Sequence, residues 1–312
     1  MGPAVKIGFA GYGEVGKILA GALREKELAW VGAWDILFPD RALSSEMKAR
    51  AHADGVEACE SLAALIGRSD IVISAVTAAN TLDVAAEAAQ FARPGLFCLD
   101  LNSASPMTKM KAAELIEGAG AHYVEAGVMT PVPPYGLRAP MLLGGRRAGE
   151  LAAKLEPLGF DMTVVSEKVG VASAIKLCRS VFIKGLEAIV VESYTLARRH
   201  GVERELLESL ARTFPGIDWD ERGSYLFNRV ARHGRRRAEE MREAANTVRE
   251  AGLEPRMSAA TAETQDWVAG LTKGGAFRFL AEQAGWREYA DKIIATMESH
   301  PRAARKRSGG TS

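Results

Sequence analysis

The sequence predicts an α/β protein, with a doubly wound, mainly parallel sheet followed by an all-helical C-terminal domain. Short, wholly apolar β-rich runs alternate with helical stretches through the first half. Strands without polar alternation are strands covered on both faces. The strand signal then ends near Gly170, and one helical pattern runs from Ser173 to His200 with no proline and a single internal glycine, Gly185. A βα half followed by a helical half makes two domains.

Val5–Ala10 reads as the first strand, Glu14–Lys26 as a helix and Ala29–Trp34 as the second strand. Further strands are expected at Ile71–Val76, Leu96–Leu101, His122–Ala126, Pro140–Leu143 and Asp161–Val165, with helices at Leu82–Phe91 and Thr108–Gly118. Beyond the long helix, helical periodicity continues over Glu203–Thr213, Tyr225–Ala251, Ser258–Leu271 and Trp286–Glu298. The expected division is 1–165 and 166–312, with the boundary at Ser166–Gly170. The last stretch, 301–312, mixes Arg and Lys with Gly, Ser and Thr and reads as a disordered tail.

Composition removes several function classes. A chain of 312 residues that is 47% hydrophobic can bury two cores. Its net charge of +1 gives no global field for nucleic acid or anionic lipid, so anion recognition must be local. Cys59, Cys98 and Cys178 are odd in number and scattered, which suits a reducing, cytoplasmic setting rather than a disulfide framework. No stretch has the make-up of a secretion signal, and apolar runs such as Ile71–Val76 are too short to cross a bilayer. The histidines are isolated and no HExxH, His-Cys cluster or GxSxG occurs, so neither a metal site nor a serine elbow is expected.

Gly11-Tyr12-Gly13-Glu14-Val15-Gly16 is a GxGxxG, and its context gives it meaning. A strand runs into it, a helix leaves it, and the next strand ends in Asp35. Gly11 permits the tight turn, Gly13 clears space for a pyrophosphate and Gly16 lets the helix lie close on the sheet. The first N–H groups of that helix, from Glu14 and Val15 onward, face the phosphates with the positive dipole end. A carboxylate at Asp35 accepts from ribose hydroxyls and repels a 2′-phosphate, which favours NAD over NADP, although Arg41 lies nearby in sequence. The first domain is therefore expected to be of Rossmann type, with Val76, Thr77 and Ser103 flanking the cofactor.

The fingerprint, the segment Asp100-Leu101-Asn102-Ser103-Ala104-Ser105-Pro106 and the helix start Gly170-Val171-Ala172-Ser173-Ala174-Ile175-Lys176 resemble, in that order, the β-hydroxyacid dehydrogenases. That family is related to 6-phosphogluconate dehydrogenase, and the resemblance covers most of residues 5–200. The run from Arg179 to Ala188 resembles a phosphogluconate-dehydrogenase-like branch. The resemblance implies that Lys176 is the catalytic acid/base. Removing a hydride from a CH–OH group leaves a developing carbonyl, and a partly desolvated lysine can take the hydroxyl proton. Ser173, Lys176, Ser180 and Lys184 share one helix face, which either lines a cleft or is a solvated stripe.

Departures from the family pattern narrow the chemistry. Ser180 stands where the family carries asparagine, four residues after the lysine. Arg179 and Ile183 stand where the 6-phosphogluconate enzymes carry histidine and glutamate, and isoleucine is no general acid, which disfavours decarboxylation. The family's Ser-Gly-Gly substrate loop is replaced by a run with three prolines in four positions, leaving Thr130 as its best hydroxyl. Arg236 either clamps a substrate carboxylate or belongs to a salt-bridged helix with Arg235–Glu239 and Arg236–Glu240 pairs. The expected partner is a small hydroxyacid bound by Ser103, Thr130, Ser180 and Arg236, in a homodimer, with no nucleic acid or membrane. Two other readings stand beside this one: a non-catalytic NAD-sensing protein on the same fold, and an imine-reductase-like enzyme, which usually lacks the lysine.

Overall fold

The computed structural model describes residues 5–38 and 44–299. Arg41 and the expected tail lie outside the described residues. The chain divides into two compact units, one up to Cys178 and one from Arg179.

The first unit runs β1 (Lys6–Ala10), α1 (Glu14–Arg24), β2 (Trp30–Trp34), α2 (Ser44–Ala53), β3 (Glu57–Ala58), α3 (Leu62–Arg68), β4 (Ile71–Ser74), α4 (Thr81–Ala89), β5 (Phe97–Asp100) and α5 (Pro106–Gly118). It continues with β6 (His122–Val128), the short turn α6 (Val132–Tyr135), β7 (Met141–Gly144), α7 (Ala148–Leu155) and β8 (Met162–Ser166). The strands form one sheet in the order β3-β2-β1-β4-β5-β6-β7-β8. All neighbours are parallel except β6 and β7, so the last two strands run against the others.

Side-chain alternation explains why the central strands read as unbroken apolar runs. In β4, Ile71 and Ile73 enter one core while Val72 enters the other. In β5, Phe97 and Leu99 likewise oppose Cys98. Both faces are covered, so side chains on either face of these runs are apolar except where a polar one finds buried partners, as Asp100 does at the end of β5. From β1 the chain moves outward through β2 to β3, then returns to β4 on the other side of β1. That reversal opens a crevice at the C-terminal ends of β1 and β4, where ligands of such sheets bind.

The helix α8 (Val171–His200) begins in the first unit and continues into the second, which adds α9 (Glu203–Thr213), α10 (Trp219–Glu250), α11 (Arg256–Lys273) and α12 (Trp286–Ser299). Trp286, fully buried, centres the second core, with Tyr194 edge-on at 4.9 Å and Phe227 and Tyr289 around it. α10 starts at Trp219, ahead of the expected Tyr225. Asp218 caps it by accepting from the N–H groups of Asp220 and Glu221, both at 3.0 Å. Gly223 then fits beneath the Tyr194 ring, which an added Cβ would approach to 2.5 Å.

Candidate active site

At the end of β1, Gly11 adopts φ +101°, a conformation that disfavours any side chain. Its N–H donates to the carbonyl of Trp34 at 2.8 Å, and an added Cβ would stand 2.6 Å from the Ala75 carbonyl oxygen. At Gly16 a Cβ would stand 2.2 Å from the Gly11 carbonyl oxygen, so this glycine lets α1 close down on the turn. At Gly13 a Cβ would meet nothing within 4 Å. Gly13 is also the N-cap of α1, and no side chain caps that end. Open space before uncapped N–H groups, those of Glu14 and Val15 among them, fits a diphosphate.

The intervening Tyr12 turns inward. It is fully buried, packs edge-on against Phe38 and donates from its hydroxyl to Asp54 Oδ2 at 3.0 Å. Burial first, and the Asp54 carboxylate second, push its ionisation well above the usual tyrosine range. Asp35 Oδ2 accepts the Tyr12 N–H at 2.7 Å, and its Oδ1 accepts the Leu37 N–H at 3.0 Å. The carboxylate thus fastens the glycine turn to the end of β2. These two donors use two of its roughly four acceptor positions.

Across the crevice, the loops after β4 and β5 meet at Asn102, a residue that fingerprint reasoning passes over. Its Oδ1 accepts the Val76 N–H at 2.8 Å and its Nδ2 donates to Ser74 Oγ at 3.0 Å. Beneath it, Asp100 accepts from the Asn102 N–H (2.8 Å), the Tyr123 hydroxyl (2.6 Å) and Lys109 Nζ (2.8 Å). Lys109 is fully buried, and burial with the Asp100 charge raises the Tyr123 hydroxyl far above its ordinary value. Thr77 is exposed and Ser103 half-buried on these loops.

Lys176 reaches the same edge of the sheet by way of α8. That helix begins on the fully buried carboxylate of Glu125 in β6. Oε1 accepts the N–H groups of Gly170 (2.6 Å) and Ala172 (2.9 Å), and Oε2 accepts the Ser173 N–H (3.3 Å) and hydroxyl (2.7 Å). Gly127 allows the close approach: a Cβ there would lie 2.8 Å from the Ala172 carbonyl oxygen and 3.4 Å from Lys176 Cβ. Because Glu125 pairs in parallel register with Asp100, Gly127 lies beyond the C-terminal end of β5. Gly11, Val76, Ser103 and the half-buried Lys176 therefore share one sheet edge within one unit. Thr130 follows on the same loop side, and its hydroxyl, shielded from solvent, has no hydrogen-bond partner among the described residues.

The remaining sequence-predicted residues belong to the helical unit. Ser180 is buried and accepts from Lys184 Nζ at 3.0 Å, and Lys184 pairs with Glu240 at 2.9 Å. With Ser173 held by Glu125, these positions on α8 are engaged and enclosed, not a solvated stripe. Arg236 is exposed, and Arg235 lies 3.6 Å from Glu239. Its neighbour Arg237 is the buried one, paired with Glu187, which also accepts from Gln265 at 3.2 Å. Among the described residues no group of His, Cys, Asp and Glu is arranged to hold a metal ion.

Residues 6–132 match the NAD binding domain of 6-phosphogluconate dehydrogenase, and residues 197–268 match a domain of unknown function, DUF1932. The chain is 31% identical over 253 residues to an uncharacterised 28.5 kDa protein of Methanothermus fervidus, covering 81% of this chain and 94% of that one. It is 26% identical over 219 residues to 2-(hydroxymethyl)glutarate dehydrogenase of Eubacterium barkeri, covering 67% and 69%. A solved conserved hypothetical protein from Sinorhizobium meliloti superposes with a TM-score of 0.80 at 38% identity, covering 94% and 97%. The fold is also that of Mycobacterium tuberculosis 3-hydroxyisobutyrate dehydrogenase, with a TM-score of 0.69 at 19% identity, covering 86% and 94%.

Proposed function

Because the chain belongs to the β-hydroxyacid dehydrogenase and 6-phosphogluconate dehydrogenase-like superfamily, we propose that it oxidises or forms the CH–OH group of a small hydroxyacid, with Lys176 as acid/base and NAD as the preferred dinucleotide. The observation that carries this reading is the stem of Lys176 lying against Gly127, on the sheet edge that also bears the open glycine turn.

Each residue then has a task. The backbone of Gly11, Gly13, Glu14, Val15 and Gly16 holds the diphosphate, and Asp35 accepts from the ribose hydroxyls of NAD. Val76, Thr77 and Ser103 flank the other half of the dinucleotide. The bound dinucleotide supplies the hydride acceptor. Lys176 takes the proton of the substrate hydroxyl in oxidation, and its ammonium polarises the carbonyl in the reverse direction. Thr130 and Ser103 orient the acid group of the substrate. Ser180 and Arg236 are proposed as further substrate contacts from the sequence alone. The row Phe182, Ile189 and Leu196, exposed at intervals of two turns along α8, supports a homodimer through the helical unit. Three unpaired cysteines support a cytoplasmic location, and no described helix is long and apolar enough to cross a membrane.

Reduction of NAD and NADP against a panel of hydroxyacids tests the proposal, with Lys176→Ala alongside. Loss of the amine is expected to lower kcat/KM by roughly 10²–10⁴ while leaving NAD affinity unchanged. Turnover that survives the substitution overturns the lysine mechanism.

A further inference from the structure

We infer that Asn102 is a positioning residue that sets where the nicotinamide half of the dinucleotide rests. The inference depends on the nucleotide-binding reading above and goes beyond it. With the diphosphate at the start of α1 and one ribose at Asp35 on β2, the other nucleoside must run the opposite way, over the ends of β4 and β5. The loops there carry Val76, Thr77 and Ser103. Regular pairing between them ends with the Leu101 N–H on the Ser74 carbonyl at 3.0 Å.

Past that point the Asn102 side chain bridges the gap. It is 4% exposed, and it meets the first loop at Val76 N–H and the end of β4 at Ser74 Oγ. A planar amide suits this task because it presents one acceptor and one donor at a fixed separation. Its own aim is fixed from below: the Asn102 N–H rests on Asp100 Oδ1, and Asp100 is locked by Lys109 Nζ and the Tyr123 hydroxyl, both buried. The Lys109–Asp100 pair is closed off from solvent at 2.8 Å, so this base does not relax as an exposed loop would. Loss of the amide leaves the half-buried Val76 N–H without its acceptor and uncouples the two loops. Asn102 thereby acts on the ligand through Val76, Thr77 and Ser103 without touching it.

The test compares binding of NAD with binding of ADP-ribose, which keeps the diphosphate and the Asp35 contact but lacks nicotinamide. Calorimetric titration of the full chain carrying Asn102→Ala is expected to show NAD weakened by about tenfold or more and ADP-ribose changed by less than about twofold. A merely structural role would weaken both alike. Equal loss for both ligands, or no loss for either, overturns the inference. If Asn102→Ala fails to fold, Asn102→Asp keeps the shape and the acceptor for Val76 and is judged by the same selectivity. A wild-type chain that binds neither ligand overturns the nucleotide-binding reading itself, a result distinct from unselective loss in the variant.

Discussion

Asp35 and the three fingerprint glycines illustrate how one motif divides its labour. Asp35 holds the turn through Tyr12 and still has acceptors to spare, so Asp35→Asn is expected to do two things. NAD affinity should fall about tenfold, and the proposed preference for NAD over NADP should vanish as the negative charge goes. Parallel titrations with both dinucleotides check this, and a preference that persists would transfer specificity to another group. The glycines separate just as sharply. Gly13 borders open space, so Gly13→Val should leave the melting temperature unchanged and abolish dinucleotide binding. Gly16 borders the Gly11 carbonyl, so Gly16→Val should lower the melting temperature as well. Thermal melts with and without NAD distinguish the two.

Single elements show where sequence reasoning reaches and where it stops. The expected strands occur within two residues of their predicted ends, because each is an apolar run between turn residues. The two-residue β3 and the mostly polar α2 carry no comparable periodic signal, α3 and α7 bury an apolar face but are only seven and eight residues long, and α10 starts early because its cap, Asp218, precedes a stretch too polar to read as a helix face. Among site residues, the glycine turn and Asp35 stand in a local pattern. Asn102, Lys109 and Glu125 do not: the side chains of Asn102 and Glu125 meet groups 26 to 48 residues away, and Lys109 reaches back nine residues to Asp100. The one local hint is a charge inside an otherwise buried run, Glu125 within β6. That charge holds α8 to the sheet through four donors. Glu125→Ala leaves those donors buried without an acceptor and should lower unfolding stability by about 3 kcal/mol or more. Denaturant titration measures it, and a loss below about 1 kcal/mol would mean that water replaces the carboxylate.

For the molecule taken entire, the three thiols report burial. Burial, with the Glu57 charge second, pushes Cys59 up to about 11; burial, with Asp100 second, pushes Cys98 up to about 12. Raised values mean that thiolate is scarce below them, so both should resist alkylation at pH 8 while the exposed Cys178 reacts. Mass spectrometry should count one modified cysteine in the native protein and three after denaturation. Modification of Cys98 at a rate like that of Cys178 would contradict the packed sheet.

The carboxylate beneath α8 also settles a question of charge. A long helix usually lends its positive end to whatever anion arrives, but here that end already faces a resident anion, sealed from solvent. An anion at this edge of the sheet therefore gains nothing from the start of α8, and its attraction comes from other helix starts, such as those of α1 and α4, and from cationic side chains. On the proposed reading, selectivity among acids rests on those groups, where one substitution can redirect it, and not on the backbone at the start of α8.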